Sequence, residues 1–226
     1  MGEVLLAGWA ADITVLAPHA DLARRRAEGE LLVRGWTEPQ RAYHTLQHLA
    51  EVLTALEELA GAGEVDACGL RVARVAAWYH DLSYDPRAAP GSNEHRSATL
   101  ARDHLHRLWV AADVVDLVED LILMTADHQQ GSAEPTPRHT DVRAAFHDAD
   151  LWILTAPVER FDDYCRQVRR EYAHVPQERY AAARVEILRG LVGRGPIYRT
   201  DHATTHWQRR ALGNVARELA RLAAQS

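Results

Sequence analysis

The chain has 226 residues, of which 47% are hydrophobic and 26% are charged, and this balance is typical of a globular protein rather than a disordered one. A chain of this length buries enough surface to fold without disulfides or a structural metal. Its net charge of -6 comes from acidic and basic residues that are interleaved along the sequence, so no concentrated basic face is expected. Polymeric DNA and RNA are therefore excluded as expected partners, whereas a single nucleotide is not.

The cysteine usage and the hydropathy pattern both predict a cytoplasmic protein. Cys68 and Cys165 lie far apart and belong to no ligand-spaced cluster, which is typical of reduced thiols. The first residues lack the basic segment of a secretory signal. The most apolar stretch, residues 114–124, is interrupted by three acidic residues, so no membrane span is expected.

Hydrophobic residues recur at helical steps along nearly the whole chain. Leucines between residues 46 and 56 follow one another at three- and four-residue steps and form one apolar stripe. Asp66 and Ser92 are candidate N-caps, and Thr140 opens a further helical pattern. In chain order the sequence predicts helices over about 44–60, 67–82, 93–109, 112–127, 140–153, 157–173, 176–193 and 204–224, with loops over about 85–92 and 129–140.

No alternating run of β-branched residues predicts a strand, so the expected fold class is all-α. There are no tandem repeats and no low-complexity linker. One domain is favoured over two, with the last third of the chain as a candidate separate layer.

Four short segments place His or Asp where the surrounding pattern is apolar. The first of them carries two histidines four residues apart, which a helix would present on one face. An ionised carboxylate on an apolar face is costly unless a cation or several donors compensate it. Imidazole and carboxylate groups that converge from separate helices suit a divalent metal with open positions for water. The segments are Tyr43 to His48, His80-Asp81, Asp127-His128 and Asp148 to Asp150.

Each segment alone also has a simpler explanation. The first pair of histidines fits a surface or hydrogen-bonded pair, and Asp150 fits a helix cap or a salt bridge with arginine. His147-Asp148 is a second His-Asp dipeptide in the same chain. The conjunction of an embedded His-Asp pair, an upstream histidine pair and a downstream aspartate favours a metal site. Spacing alone leaves either His44 or His48 as its ligand.

Four blocks follow one another in the chain: Tyr43-His44-Thr45-Leu46-Gln47-His48, His80-Asp81-Leu82-Ser83-Tyr84-Asp85, Asn93-Glu94-His95-Arg96-Ser97-Ala98 and Asp148-Ala149-Asp150-Leu151. This order resembles the HD-domain superfamily of metal-dependent phosphohydrolases, whose pattern is H…HD…D on a helical bundle. More narrowly, it is similar to a family of predicted HD phosphohydrolases with the blocks Y-H-N-x-x-H, H-D-x-x-Y, N-E-x-x-S-A and D-A-D-L. The resemblance covers about residues 36–220, including Arg169 to Tyr172. Thr45 replaces the more usual Asn, and the block at 211–215 lacks its arginine.

The resemblance implies an HD-type helical bundle with additional C-terminal helices. It implies a single domain over residues 1–226, with a metal-binding core at about 36–155 and a C-terminal layer at about 156–226. One divalent ion is expected, with Mn, Mg, Ni, Co, Zn and Fe not distinguished, and a second ion and a homodimer are left open. The implied ligands are His48, His80, Asp81 and Asp150.

The implied activity is phosphohydrolase, with metal-activated water attacking a nucleotide or another small phosphoester. The first block also looks like that of cyclic-nucleotide phosphodiesterases, whose first histidine protonates the leaving oxygen, and this gives the acid role to His44. Asp81, Asp85 and Glu94 are candidates to accept the proton of the water, and His128 and Arg96 are candidates to hold phosphate oxygens. For Asp85, Glu94 and Arg96 the simpler alternative is a solvated helix start, where acidic residues favour the helix dipole.

Two alternative hypotheses keep the expected fold but assign it a different function. Some HD proteins hold two metals and activate oxygen with further histidines, and four candidates lie between the His-Asp pair and the last aspartate: His95, His104, His106 and His128. A domain without catalysis that binds a nucleotide is the other rival. Intact ligands and an intact acid argue against it, since a decayed site usually loses a ligand.

Overall fold

The computed structural model describes residues 2–126, 139–193 and 195–224, and over these ranges the protein is all-helical, as the sequence predicts. No strand occurs in the described residues. The helices are α1 (Gly2–Leu16), α2 (Leu22–Trp36), α3 (Leu46–Gly61), α4 (Ala67–Tyr79), α5 (Ser92–Arg107), α6 (Ala112–Met124), α7 (Thr140–Asp150), α8 (Val158–Glu171), α9 (Gln177–Val192), α10 (Asp201–His206) and α11 (Gln208–Ala223), with a 3₁₀ helix (Leu151–Thr155) directly after α7.

Helix α4 lies at the centre of the bundle. Nearly all of its residues from Val72 to Tyr79 are buried, because α1, α3, α5, α6 and α7 pack around it. The alanines among these residues let the neighbouring helices approach closely, and Trp78 packs edge-on against Trp9 of α1 with ring centroids 6.0 Å apart. Its C-terminal end, where the predicted His-Asp pair follows, is therefore held from several sides.

The helix caps agree with the sequence at one position and differ at another. Asp66 caps α4 as predicted, since its side chain accepts a hydrogen bond from Gly69 N at 2.7 Å. Ser92 does not cap α5. The N-cap is Gly91, whose φ of 77° lies in the left-handed region that glycine adopts freely, and Ser92 is the first helical residue.

Three predicted helix boundaries shift. The predicted helix over 44–60 begins only at Leu46, because the extended Thr45 caps it. The predicted helix over 140–153 ends at Asp150 and tightens into the 3₁₀ helix. The segment over 204–224 is two helices, with the buried Trp207 between them.

The last third of the chain packs through the 3₁₀ helix. Helices α3, α7, α8 and α11 all contact it, and α9 packs on α11. Asn214 of α11 donates to the carbonyls of Leu154 and Ala156 at 2.8 and 2.9 Å, so it fixes the chain just where the 3₁₀ helix ends. None of the described helices combines the length and the apolar character that crossing a bilayer requires.

Candidate metal centre

Three helix ends bring two histidines and an aspartate together. His48 lies in the first turn of α3, His80 follows α4 directly, and Asp150 is the last residue of α7. The Nε2 atoms of His48 and His80 are 3.3 Å apart. Asp150 Oδ1 lies 3.4 Å from the first and 3.2 Å from the second. These three residues form a group that could hold a metal ion.

Asp81 adds a second carboxylate to this group. Its Oδ2 lies 3.0 Å from the Nε2 of His80 and 3.6 Å from the Nε2 of His48. Ligand atoms held about 2.0–2.2 Å from an ion cannot lie more than about 4.4 Å from one another. The measured contacts of Asp81 with the two histidines satisfy this limit, so Asp81 borders the group that His48, His80 and Asp150 form.

The hydrogen bonds behind the histidines orient them as ligands. The Nδ1 of His80 lies 2.8 Å from the carbonyl oxygen of Ala77, which can only accept, so Nδ1 carries a hydrogen. The Nδ1 of His48 lies 3.0 Å from the hydroxyl of Tyr43. Because ligating histidines usually bond their second nitrogen to such a partner, the donor set fits a cation.

The charges of the group also favour a cation. Burial lowers the pKa of His80, but the carboxylates of Asp81 and Asp150 outweigh burial and raise that pKa well above 6.5. Burial raises the pKa of Asp81, yet His80 and His44 more than offset it and leave that pKa well below its ordinary value. The same negative field that draws protons onto the imidazoles would draw a divalent ion.

His44 lies beside the group and not within it. The prediction that one helix face carries both histidines is wrong, because His44 precedes the cap residue Thr45 and its backbone lies outside α3. Its Nε2 is 3.9 Å from Asp81 Oδ2, and its ring stacks on Tyr84 with centroids 4.0 Å apart. The turn that precedes α3 therefore places His44 beside Asp81, outside the helix that carries His48.

Glu171, the last residue of α8, holds His44 in this position. Its Oε2 lies 2.8 Å from His44 Nδ1 and accepts a hydrogen bond from Tyr84 Oη at 2.9 Å. Its Oε1 accepts from the backbone N–H groups of residues 42, 43 and 44 at 2.7, 2.8 and 3.1 Å. Burial raises the pKa of Glu171, but His44 and these amide donors outweigh it and lower that pKa to about 2. The carboxylate is thus ionised and fully hydrogen-bonded.

Sequence reasoning gave Glu171 no role beyond its place in a matched C-terminal segment. One signal was present: in α8 the buried positions Phe161, Tyr164 and Val168 recur at helical steps, and a glutamate occupies the next step. Arg41 was missed as well. Its NH1 donates to the carbonyls of His44 and Asp81 at 3.1 and 2.8 Å, so it ties the two segments together.

Asp148 has a structural role, which separates it from Asp150. Its carboxylate accepts from the backbone N–H of Arg199 and from both the N–H and the hydroxyl of Thr200. It also lies 2.9 Å from Nδ1 of His147. The second His-Asp dipeptide thus anchors the start of α10.

The structure describes three of the other candidate residues, namely Asp85, Glu94 and Arg96. No hydrogen bond or ion pair between described residues joins any of the three to the candidate metal centre. Asp85 accepts from Arg87 N at 2.8 Å, and Arg96 donates to Ser92 O and Asn93 Oδ1 within its own helix start. Glu94, partly buried, acts electrostatically on Tyr172. His128 lies outside the described residues.

The histidines considered for a second metal are occupied elsewhere or exposed. Buried His104 is hydrogen-bonded through Nδ1 to Glu28, whose carboxylate also accepts from the hydroxyl of Tyr79. His95 Nδ1 lies 2.8 Å from Gly91 O, and His106 is exposed. Among the residues that the structure describes, His48, His80 and Asp150 form the one group with metal-ligand spacing.

The class that these observations define is an all-helical protein with a buried His/Asp cluster able to hold a metal ion. Comparison with known proteins does not define this class further, because no protein-family model and no curated protein matches the chain. Since a fold alone does not fix a reaction, the function has to be argued from the site.

Proposed function

We propose that this protein is a metal-dependent phosphohydrolase of the HD-domain type that acts on a nucleotide or another small phosphoester. His48, His80, Asp81 and Asp150 would hold one divalent ion. When bound, the ion would lower the pKa of a coordinated water towards about 7 and offset negative charge on phosphoryl oxygens. Residues beside the ligand group would transfer protons and hold the substrate.

One observation carries this proposal: a histidine outside the ligand group stands next to it with its own buried carboxylate partner. His44 presents Nε2 towards Asp81, while Glu171 holds Nδ1 at 2.8 Å. Burial lowers the pKa of His44, but Asp81 and Glu171 outweigh burial and raise it, which favours the protonated ring. A protonated imidazole fixed beside a metal site is what donation of a proton to a leaving oxygen requires.

The division of labour follows from these contacts. Glu171 and Tyr84 are positioning residues, because they contact His44 and are not among the proposed ligands. His44 donates its Nε2 proton to the leaving oxygen, a role typically worth about 10²–10⁴-fold in rate. Asp81 is the proposed acceptor of the water proton, with Glu94 and Asp85 as further candidates. Arg96 and His128 are proposed to hold phosphate oxygens.

A substrate screen tests the proposal. Wild-type protein and the Asp81→Ala variant are assayed with nucleotides and phosphomonoesters in the presence of Mn²⁺, Mg²⁺, Ni²⁺, Co²⁺, Zn²⁺ or Fe²⁺. We expect at least one substrate to be hydrolysed by the wild type and not by the variant. Asp141→Ala is the matched control, since this exposed aspartate of α7 should leave activity unchanged. Equal activity in Asp81→Ala and wild type would refute the site.

A further inference from the structure

Arg41 is a buried arginine that lies three residues before His44 in the chain. Its side chain is 0% exposed, and each nitrogen of the guanidinium has an acceptor. Nη1 donates to the carbonyl oxygens of His44 and Asp81 at 3.1 and 2.8 Å, and Nη2 donates to that of Leu82 at 2.8 Å. Nε donates to Glu38 Oε2 at 3.2 Å. This arginine therefore faces groups of the protein itself and not a surface that a substrate could reach.

A single nitrogen of Arg41 joins the backbone of His44 to the backbone of Asp81. The side chains of the same two residues also approach each other, with His44 Nε2 lying 3.9 Å from Asp81 Oδ2. The proposed acid and the aspartate beside the metal group are thus linked at their carbonyls by Nη1. A change at this nitrogen would alter the separation of the two side chains.

The two residues that Nη1 links differ in how firmly the rest of the fold holds their backbones. The residues on both sides of Asp81 donate backbone hydrogen bonds to carbonyls of α4 at 2.9 and 3.0 Å, so Asp81 continues from the central helix. His44 lies in the turn before α3 and outside any helix. Arg41 therefore fixes the turn that carries His44 relative to the end of α4.

Arg41 also packs against the ring on which His44 stacks. The guanidinium lies 5.5 Å from the centre of the Tyr84 ring and 5.6 Å from that of Trp36, within the range of an attractive cation–π contact. The His44 ring stacks on Tyr84 with centroids 4.0 Å apart. Arg41 thus contacts both the backbone of His44 and the ring that orients its imidazole.

We propose that Arg41 is a positioning residue for the proposed reaction: it holds His44 at the place beside Asp81 from which the Nε2 proton reaches the leaving oxygen. This inference rests on the proposed function. As the bond between phosphorus and the leaving oxygen breaks, the proton passes from Nε2 to that oxygen, so that an alcohol leaves and the imidazole becomes neutral. Displacement of a reacting group by about 1 Å can cost about 10²-fold in rate, so the hold on His44 matters.

A double-mutant cycle with His44 tests this role on the substrate that the screen identifies. Arg41→Lys keeps the charge but lacks the planar fork that reaches several carbonyls. In the wild-type background we expect it to lower kcat by about 10–10²-fold, with KM and metal per chain unchanged, because Arg41 contacts neither the substrate nor the ion.

In the His44→Gln background the same substitution should cause no further loss in kcat, since an arginine that acts through His44 then has nothing to position. A role in stability alone would lower kcat by the same factor in both backgrounds. Arg34→Lys, at an exposed position of α2, is the matched control and should have wild-type kinetics.

Four results would overturn the assignment: an unchanged kcat in Arg41→Lys, an equal loss in both backgrounds, a raised KM with kcat retained, or lost metal. If Arg41→Lys does not fold, Glu38→Ala takes its place, because this carboxylate is 43% exposed and yet holds Nε of Arg41. It should give the same pattern with a smaller loss, and an unchanged kcat in that variant would then overturn the assignment.

The two proposals fail in different ways. A wild-type protein that hydrolyses no phosphoester in the screen refutes the proposed function, and the role of Arg41 with it. An active wild type combined with any of the four contrary results refutes the role of Arg41 alone.

Discussion

Four residues separate His44 from His48, yet the two rings have different partners. His48 points Nε2 at His80 and Asp150, while His44 is held by Glu171 and Tyr84. Thr45, the N-cap of α3, lies between them and has an extended backbone. His48 therefore belongs to the helix, whereas His44 precedes it. At the scale of the single residue, the proposed ligand and the proposed acid are therefore distinguishable by substitution.

Replacing each histidine by glutamine should give different losses. His44→Gln should lower kcat by about 10²–10⁴-fold on the substrate found by the screen, with metal content retained, because only proton donation is removed. His48→Gln should lower the metal content itself. Metal per chain by elemental analysis, together with kcat, distinguishes the two. Loss of metal in His44→Gln would make His44 a ligand instead.

At the scale of the element, Glu171 links the end of α8 to the segment that precedes α3. Its carboxylate accepts three backbone hydrogen bonds from residues 42–44, more than 120 positions earlier in the chain. The hydrogen bond and charge of His44, together with these amide donors, keep the pKa of Glu171 at about 2 rather than its ordinary 4.5. The lowered pKa corresponds to about 3 kcal/mol of stability, present above pH 4.5 and lost as the pH falls through about 2.

Glu171→Gln should therefore reduce the free energy of unfolding most at neutral pH. The difference from wild type should shrink as the pH falls from about 5 towards 2, because the wild-type carboxylate becomes protonated and loses its advantage. Urea unfolding at several pH values measures this difference. Glu159→Gln, an exposed glutamate of the same helix, serves as the control. A difference that is constant with pH would contradict the assignment.

Helix α7 ends with two aspartates that serve different purposes. Asp148 satisfies the buried donors of Arg199 and Thr200, whereas Asp150 faces His48 and His80. Their side chains diverge because residues two apart on a helix do not share a face.

Asp148→Ala should destabilise the protein by roughly 2–4 kcal/mol, since it leaves several buried donors without an acceptor. Asp150→Asn should cost far less stability in EDTA but should lose bound metal. Chemical unfolding and elemental analysis of both variants measure the contrast. The reverse pattern, with metal lost from a stable Asp148 variant, would exchange the two roles.

At the scale of the whole molecule, the cluster joins elements that are distant in sequence. Its residues come from the start of α3, the end of α4 and the end of α7. An ion held there would cross-link the centre of the bundle. Anything that binds only the folded state raises stability by mass action, by about 2.7 kcal/mol at a hundred times its dissociation constant.

Chelation should accordingly lower the unfolding temperature of the wild type, and added metal should restore it. His80→Ala should unfold at a temperature that does not respond to either treatment, because it lacks a proposed ligand. Differential scanning calorimetry with and without EDTA provides the measurement. An identical metal response in His80→Ala would place the ion elsewhere.

The fold class and one helix cap could be predicted from local sequence patterns. The helical steps predicted an all-α fold, and the cap at Asp66 was correct, because periodicity and capping depend on residues within one or two turns. The metal group was also foreseeable in part. His80 and Asp150 each interrupt an apolar run, and a polar group in such a run costs free energy unless something compensates it.

Only the tertiary structure decided which groups meet. Sequence spacing placed His44 and His48 on one helix face, and the extended Thr45 separated them. Glu171 gained its partner His44 through packing between segments that lie 127 residues apart in the chain. Local patterns fix where a side chain stands on its own helix, whereas hydrogen-bond partners across the bundle depend on how the helices pack, which no short stretch of sequence contains.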